Sequence, residues 1–126
     1  MTKSAPDSLL TPDAILVVED DDDTREALCH LLEGESYRVL DARNGLEALQ
    51  VLKRTRPALL IMDLSMPVMN GWQLLERIRD KKLLPRLPVI VLSADDKLGD
   101  TDVCFMQKPV RAEFLLQEID SLLCHA

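Results

Sequence analysis

Short apolar runs alternate along this chain with segments whose apolar residues recur at helical spacing. Runs of four to eight apolar residues bounded by turn residues predict buried strands. They are AILVVE (14–19), YRVLDA (37–42), PALLIMD (57–63), LPVIVLSA (87–94) and VCFMQ (103–107). The amphipathic segments 22–34, 44–55, 71–82 and 110–123 predict helices. Strands that alternate with helices predict an α/β fold, doubly wound, with a parallel sheet and helices on both of its faces.

Three of the predicted helices start with an Asp or Asn that is followed three residues later by Glu or Gln. This spacing predicts capping boxes, in which each side chain satisfies a free backbone N–H of the first turn. The pairs are Asp23 with Glu26, Asn44 with Glu47, and Asn70 with Gln73. On this reading Asp23 caps the first helix, and its neighbours Asp21 and Asp22 are solvated.

Polar residues with complementary chemistry follow four of the five predicted strands. In parallel α/β sheets, ligands bind outside the carboxyl ends of the strands, so these residues are expected to converge on one edge. They are Glu19 and Asp20 after the first strand, Asp63 after the third, Ser93 and Ala94 after the fourth, and Lys108 after the fifth. The sequence therefore predicts a site with three carboxylates, a hydroxyl and an ammonium group.

Five consecutive acids, Glu19 to Asp23, stand at the mouth of the first strand. Carboxylates held close together repel one another unless a cation joins them, and hard oxygen ligands that leave room for water suit Mg²⁺. A carboxylate can also attack a phosphoryl group to give an aspartyl phosphate. Lys108, Ser93 and the backbone N–H of Ala94 are the donors that such a transfer needs. The residues predict phosphoryl acceptance with Mg²⁺.

Four segments carry a resemblance to a known family: ILVVEDD, LLIMDLSMPVMNGWQLLERIR, PVIVLSA and FMQKPV. In this order and at these spacings the chain resembles the receiver domain of two-component response regulators. The resemblance covers about residues 13–123 and implies a receiver domain at 13–124. It also implies a flavodoxin-like, five-stranded parallel sheet of strand order 2-1-3-4-5. Residues 1–12 carry Ser, Thr and two prolines without periodicity and are expected to form a flexible leader.

The resemblance assigns roles to the acids of the predicted site. Asp63 would be the phosphoacceptor, and Glu19 and Asp20 the acidic pair that holds Mg²⁺ together with Asp63. The main-chain carbonyl of Ser65 would be a further metal ligand. A slip of one residue would make Asp20 and Asp21 the acidic pair instead.

The resemblance also implies a set of residues that respond to phosphorylation. Lys108 would pair with the phosphoryl oxygens, and Pro109 would follow it in a turn whose peptide bond is often cis in the family. Ser93 would be the switch hydroxyl and Phe105 the switch aromatic, while the N–H of Ala94 would face the phosphoryl group.

One region departs from the family pattern. Only DDKLGDTDVCFM lies between Ala94 and Gln107, which is shorter than usual by about two helical turns. Asp and Gly are poor residues for a helix interior, so we expect the family's fourth helix to be shortened or absent over 95–102. Because the family transmits phosphorylation through that face, an alternative is a docking module of the same fold that works without phosphorylation.

Composition narrows the possible partners and location. A net charge of −7 and a pI near 4.7 disfavour nucleic acid and anionic membranes as partners of this chain. Cys29, Cys104 and Cys124 show no metal-ligand spacing and predict free thiols in a reducing compartment. No apolar run approaches the length of a membrane span, and the opening residues are too polar for a signal peptide. We expect a cytoplasmic protein.

The expected function is a signalling switch and not an enzyme that turns over a substrate. A histidine kinase or a phosphotransfer protein would donate the phosphoryl group, and an unknown downstream protein would read the result from a monomer or weak dimer. An aspartyl phosphatase is disfavoured, because such enzymes need a second acid two residues after the nucleophile and this chain has Ser65 there. The sequence leaves open whether the domain stands alone or belongs to a longer regulator or hybrid kinase.

Overall fold

A five-stranded parallel sheet forms the centre of the molecule. In a computed structural model, the described residues are 14–63, 71–80, 87–93 and 104–123. The strands are β1 (Ala14–Val18), β2 (Arg38–Ala42), β3 (Leu59–Asp63), β4 (Val89–Ser93) and β5 (Cys104–Gln107). They lie in the order β2-β1-β3-β4-β5, and every neighbouring pair is parallel. The fold class and strand order expected from the sequence are confirmed.

Within the described ranges, four helices accompany the sheet. They are α1 (Asp22–Gly34), α2 (Gly45–Arg54), α3 (Gly71–Asp80) and α4 (Ala112–Leu123). Each matches a predicted helix to within two residues at either end. None of them is long and apolar enough to cross a membrane. The predicted shortening of a helix over 95–102, the leader at 1–12 and the proposed cap Asn70 lie outside the described residues.

Apolar side chains pack on both faces of the sheet, as the nearly uninterrupted apolar strands predict. On one face, Leu16, Leu60 and Val91 pack with residues of α2 and α3. On the other, Ile15 and Ile61 pack with residues of α1 and α4. Successive strand residues point to opposite faces, so each central strand contributes to both cores. The two cores hold the strand ends in a fixed arrangement.

The register of the sheet brings the carboxyl ends of the strands to one edge. Val18 of β1 lies opposite Met62, so the next residues, Glu19 and Asp63, extend from neighbouring strands. Beyond the last paired residue, the N–H of Glu19 still donates to the carbonyl of Ala42 at 3.0 Å. On the other side of β3, the N–H of Lys108 donates to the carbonyl of Ser93 at 2.7 Å. The backbone therefore remains paired up to the polar residues.

The cap of α1 is Asp21, so the prediction that Asp23 caps this helix is wrong. The Asp21 carboxylate accepts hydrogen bonds from the backbone N–H of Thr24 at 2.8 Å and from its hydroxyl at 2.7 Å. The chain turns directly after Glu19 and the helix begins at Asp22, which leaves Asp23 inside the first turn. There it is exposed, where a negative charge favours the helix dipole.

The second predicted cap is confirmed. Asn44 accepts a hydrogen bond from the N–H of Glu47 at 2.9 Å, and the Glu47 carboxylate accepts one from the N–H of Arg43 at 2.9 Å. Asn44 thus caps α2, but the return bond from Glu47 reaches the N–H of Arg43, one residue before the N–H that a capping box would use. At the corresponding start of α1, Thr24 takes the position that a glutamate would occupy in a capping box.

The assignment of the α1 cap is testable by substitution. Asp21→Ala removes the acceptor for Thr24 and is expected to lower the free energy of unfolding by about 1 kcal/mol. Asp21→Asn keeps an equivalent cap and removes the same charge, so it is expected to stay within about 0.5 kcal/mol of the wild type. Urea unfolding of the ion-free protein measures both. An equal loss for Asp23→Ala and Asp21→Ala would contradict the assignment.

Candidate functional site

Three of the acids predicted to converge do lie together at the sheet edge. Glu19, Asp20 and Asp63 each offer a carboxylate oxygen, and these three atoms lie within 4.8 Å of one another. Glu19 and Asp63 are buried, whereas Asp20 is exposed. The carboxylate of Asp21 is engaged instead with Thr24, so the geometry favours Glu19 and Asp20 over the shifted pair.

One oxygen of Glu19 is buried without a protein partner. Its Oε2 accepts a hydrogen bond from the N–H of Asp21 at 3.1 Å, while Oε1 has no hydrogen-bond partner among the described residues. A buried oxygen left unsatisfied is costly, and such atoms call for an ion or another bound group. Mg²⁺ prefers carboxylate oxygens and retains waters, and the exposed side of Asp20 leaves room for them. The residues present therefore fit this ion.

Burial raises the pKa of Glu19 from its usual 4.5 to about 7. The charge of Asp63 and the proximity of Asp20 act in the same direction, whereas the hydrogen bond from Asp21 and the charge of Lys108 lower the pKa. Because Glu19 is only 3% exposed, water does little to stabilise its negative charge. A cation that bound here below about pH 7 would therefore have to displace a proton from Glu19.

The ammonium group of Lys108 forms an ion pair with Asp63 at this edge of the sheet. Its Nζ lies 3.0 Å from Oδ1 of Asp63, and the Asp63 side chain is only 8% exposed. The backbone bond from Lys108 to Ser93 fixes where this side chain begins, and the Lys108–Pro109 peptide is cis. The ammonium group compensates the buried carboxylate and lies within reach of any group attached to it.

The structure describes some of the remaining predicted site residues but not all of them. Ser93 is buried at the end of β4, the strand next to that of Asp63. Phe105 of β5 is half-buried and packs against the core shared with α2 and α3, so it fills space, and its switching role stays a prediction. Ala94 and Ser65 lie outside the described residues.

The sequence reasoning missed Arg25. Its guanidinium donates to the main-chain carbonyl of Glu19 at 3.0 Å and also contacts Asp22 and Asp41. The spacing to Asp22 on one helix was a visible signal, since residues three apart share a helix face. The pairing with Asp41 joins α1 to β2, which are distant in sequence, so no local sequence pattern predicts it.

Comparisons with known proteins agree on one family. The family model of the response regulator receiver domain matches residues 15–120. An uncharacterised 14.6 kDa protein of Leptolyngbya boryana is 46% identical over 80 residues, which cover 64% of this chain and 61% of that protein. The polar-differentiation response regulator DivK of Brucella anthropi is 29% identical over 119 residues, covering 89% of this chain and 97% of DivK.

Solved structures show the same likeness. The crystal structure of the response regulator TrrA from Thermotoga maritima, in complex with Mg²⁺ and BeF, has a TM-score of 0.78 and 30% sequence identity to this chain. The match covers 87% of this chain and 98% of TrrA. The likeness therefore extends over nearly the whole of a known receiver.

The raised pKa of Glu19 makes the stability of the ion-free protein depend on pH. Between pH 4.5 and about 7 the folded protein keeps a proton that the unfolded chain has lost, so the free energy of unfolding falls as pH rises. Glu19→Gln removes this loss. At pH 8 in EDTA the variant is expected to be more stable than the wild type by on the order of 1–3 kcal/mol, and at pH 4 about equally stable.

Chemical unfolding at the two pH values measures this difference, with Glu33→Gln as a control for loss of an exposed acid on α1. Added Mg²⁺ is expected to stabilise the wild type at pH 8 and Glu19→Gln much less. A Glu19→Gln protein no more stable than the wild type at pH 8 would contradict the burial argument.

Proposed function

This chain belongs to the response regulator receiver domain family, and from that premise we propose that it accepts a phosphoryl group on Asp63 from a histidine kinase or a phosphotransfer protein. One observation carries the proposal: the buried Asp63 carboxylate is paired with Lys108 and lies beside two further carboxylates. A cytoplasmic location follows from such a donor. DivK and TrrA, both named as response regulators, support the same class.

The protein groups that the proposed chemistry needs all lie at this edge of the sheet. A carboxylate oxygen of Asp63 forms a bond to phosphorus as the bond between phosphorus and the donor nitrogen breaks, and the donor imidazole keeps the electron pair. Glu19, Asp20 and Asp63 would hold Mg²⁺, which supplies neutralisation of phosphoryl charge when bound. Lys108 would move its contact from the carboxylate to a phosphoryl oxygen. That TrrA was crystallised with Mg²⁺ and BeF supports Mg²⁺ as the ion.

We propose that the form of the protein phosphorylated on Asp63 is a signalling state. Phosphorylation adds negative charge that Lys108 and Ser93 can engage, which biases two conformations and changes which partner binds. Attack of water on phosphorus then breaks the bond to Asp63 and restores the carboxylate. The domain would catalyse only these steps on itself. The competing function, a docking module indifferent to phosphorylation, draws its support from the short segment 95–102.

Phosphorylation is testable by intact-mass analysis after incubation with acetyl phosphate. A single phosphoryl adduct is expected with Mg²⁺, and none with EDTA or in Asp63→Asn, because that variant lacks the nucleophilic oxygen. Asp120→Asn serves as the control for loss of an exposed acid on α4, away from the site. An adduct that persists in Asp63→Asn would contradict the assignment of the acceptor. Absence of any adduct in the wild type would favour the docking module.

Lys108 is expected to affect metal binding and phosphorylation in opposite directions. Lys108→Met removes a positive charge 3.0 Å from Asp63, so Mg²⁺ should bind a few-fold more tightly. The same variant lacks the ammonium group for the phosphoryl oxygens and should form the adduct at least about tenfold more slowly. Calorimetric titration and timed mass spectra measure the two effects, with exposed Lys53→Met as control. Slower adduct formation caused only by weaker Mg²⁺ binding would contradict this role.

A further inference from the structure

We propose that Arg25 is a positioning residue for the metal site, holding the backbone that carries Glu19 and Asp20. The inference rests on the proposed function, because it concerns how the proposed Mg²⁺ ligands are kept in place. The guanidinium group of Arg25 makes three polar contacts. The three nitrogens of this group contact three different parts of the chain, and the side chain is only 12% exposed.

The first contact is to the site itself. Nη1 of Arg25 donates to the main-chain carbonyl oxygen of Glu19 at 3.0 Å. That carbonyl and the N–H of Asp20 belong to one planar peptide group. Holding the oxygen therefore restrains the orientation of the peptide plane between the two metal-site residues.

The other contacts anchor the guanidinium. Nε lies 3.3 Å from Oδ2 of Asp41 on β2, and Nη2 lies 2.6 Å from Oδ1 of Asp22 on α1. The rigid planar fork of an arginine can hold three such acceptors at once, which the single ammonium of a lysine cannot do with the same geometry. Arg25 is thus fixed by two elements while it holds a third segment.

A second hydrogen bond also ties the backbone of Glu19 to β2. The N–H of Glu19 donates to the carbonyl of Ala42 at 3.0 Å, and Ala42 follows Asp41 at the end of β2. The N–H and the carbonyl of Glu19 are therefore both tied to the end of one strand, one directly and one through Arg25. This holds the backbone of the acidic pair in place before any ion arrives.

Two physical effects of Arg25 on metal affinity have opposite signs. If its positive charge were all that mattered, removing it would reduce repulsion of Mg²⁺ and strengthen binding. If it positions the ligands, removing it would weaken binding, as loss of groups that orient metal ligands commonly does by 10–100-fold. The sign of the change therefore separates positioning from simple electrostatics.

The experiment is calorimetric titration of ion-free protein with Mg²⁺ at pH 8, with unfolding in urea measured on the same samples. Arg25→Met is expected to weaken Mg²⁺ binding by about tenfold, and Arg25→Lys, which keeps the charge, by an intermediate factor. Arg43→Met is the matched control. Its side chain is 65% exposed and pairs only with Glu47 among the described residues, so Mg²⁺ affinity should not change.

A further measurement distinguishes positioning of the metal ligands by Arg25 from an effect on protein stability alone. The N–H of Asp20 shares the peptide held by Arg25, so its amide nitrogen resonance is expected to shift in Arg25→Lys without Mg²⁺. Mg²⁺ affinity in Arg25→Lys and Arg25→Met equal to or tighter than that of the wild type would overturn the inference, whatever their stabilities. If Arg25→Met does not fold, Arg25→Lys alone decides, because charge alone predicts no change for it.

The wild-type titration separates this inference from the proposed function. A wild type that binds Mg²⁺ and forms the Asp63 adduct, together with unchanged affinity in the Arg25 variants, would overturn only the role of Arg25. A wild type that binds no Mg²⁺ and forms no adduct would overturn both.

Discussion

The burial of Glu19 and Asp63, two carboxylates at the ends of neighbouring strands, is the constraint to which the rest of the site responds. Apolar packing on both sheet faces keeps the strand ends in register, so these acids cannot move apart without disturbing the core. The protein compensates each of them differently. Asp63 has the ammonium of Lys108, whereas Glu19 has one backbone N–H and an elevated pKa.

This asymmetry has a chemical consequence. The acid proposed as the nucleophile is held with a cation at 3.0 Å, while the acid proposed to bind metal keeps one oxygen without a partner among the described residues. A group that joins both acids would relieve the unsatisfied oxygen and the repulsion together.

Strand β2 contributes to the site although none of its side chains is a ligand. It lies at one end of the sheet, and its last two residues hold Glu19 from two directions, through Ala42 directly and through Asp41 and Arg25. The cap Asp21 begins α1 immediately after the acidic pair and keeps that segment short. Two secondary-structure elements that carry none of the proposed ligands thus hold the backbone of the acidic pair.

The sequence by itself determined the order and type of the elements, the strand order through resemblance, and the candidates Glu19, Asp20, Asp63 and Lys108. It could do so because periodicity is local, and because parallel strands bring their carboxyl ends to one edge whatever the side-chain detail. One sequence motif gave a wrong prediction: Asp23 and Glu26 have capping-box spacing, but the cap of α1 is Asp21, two residues earlier.

Only the tertiary structure decided the distances and the protonation. The pairing of Arg25 with Asp41 depends on how α1 lies against β2, and the pKa of Glu19 depends on how completely the surrounding elements exclude water. Such quantities arise from residues far apart along the chain. Electrostatic energies vary steeply with separation and burial, so a list of strand ends identifies the participants in the site without determining the forces between them.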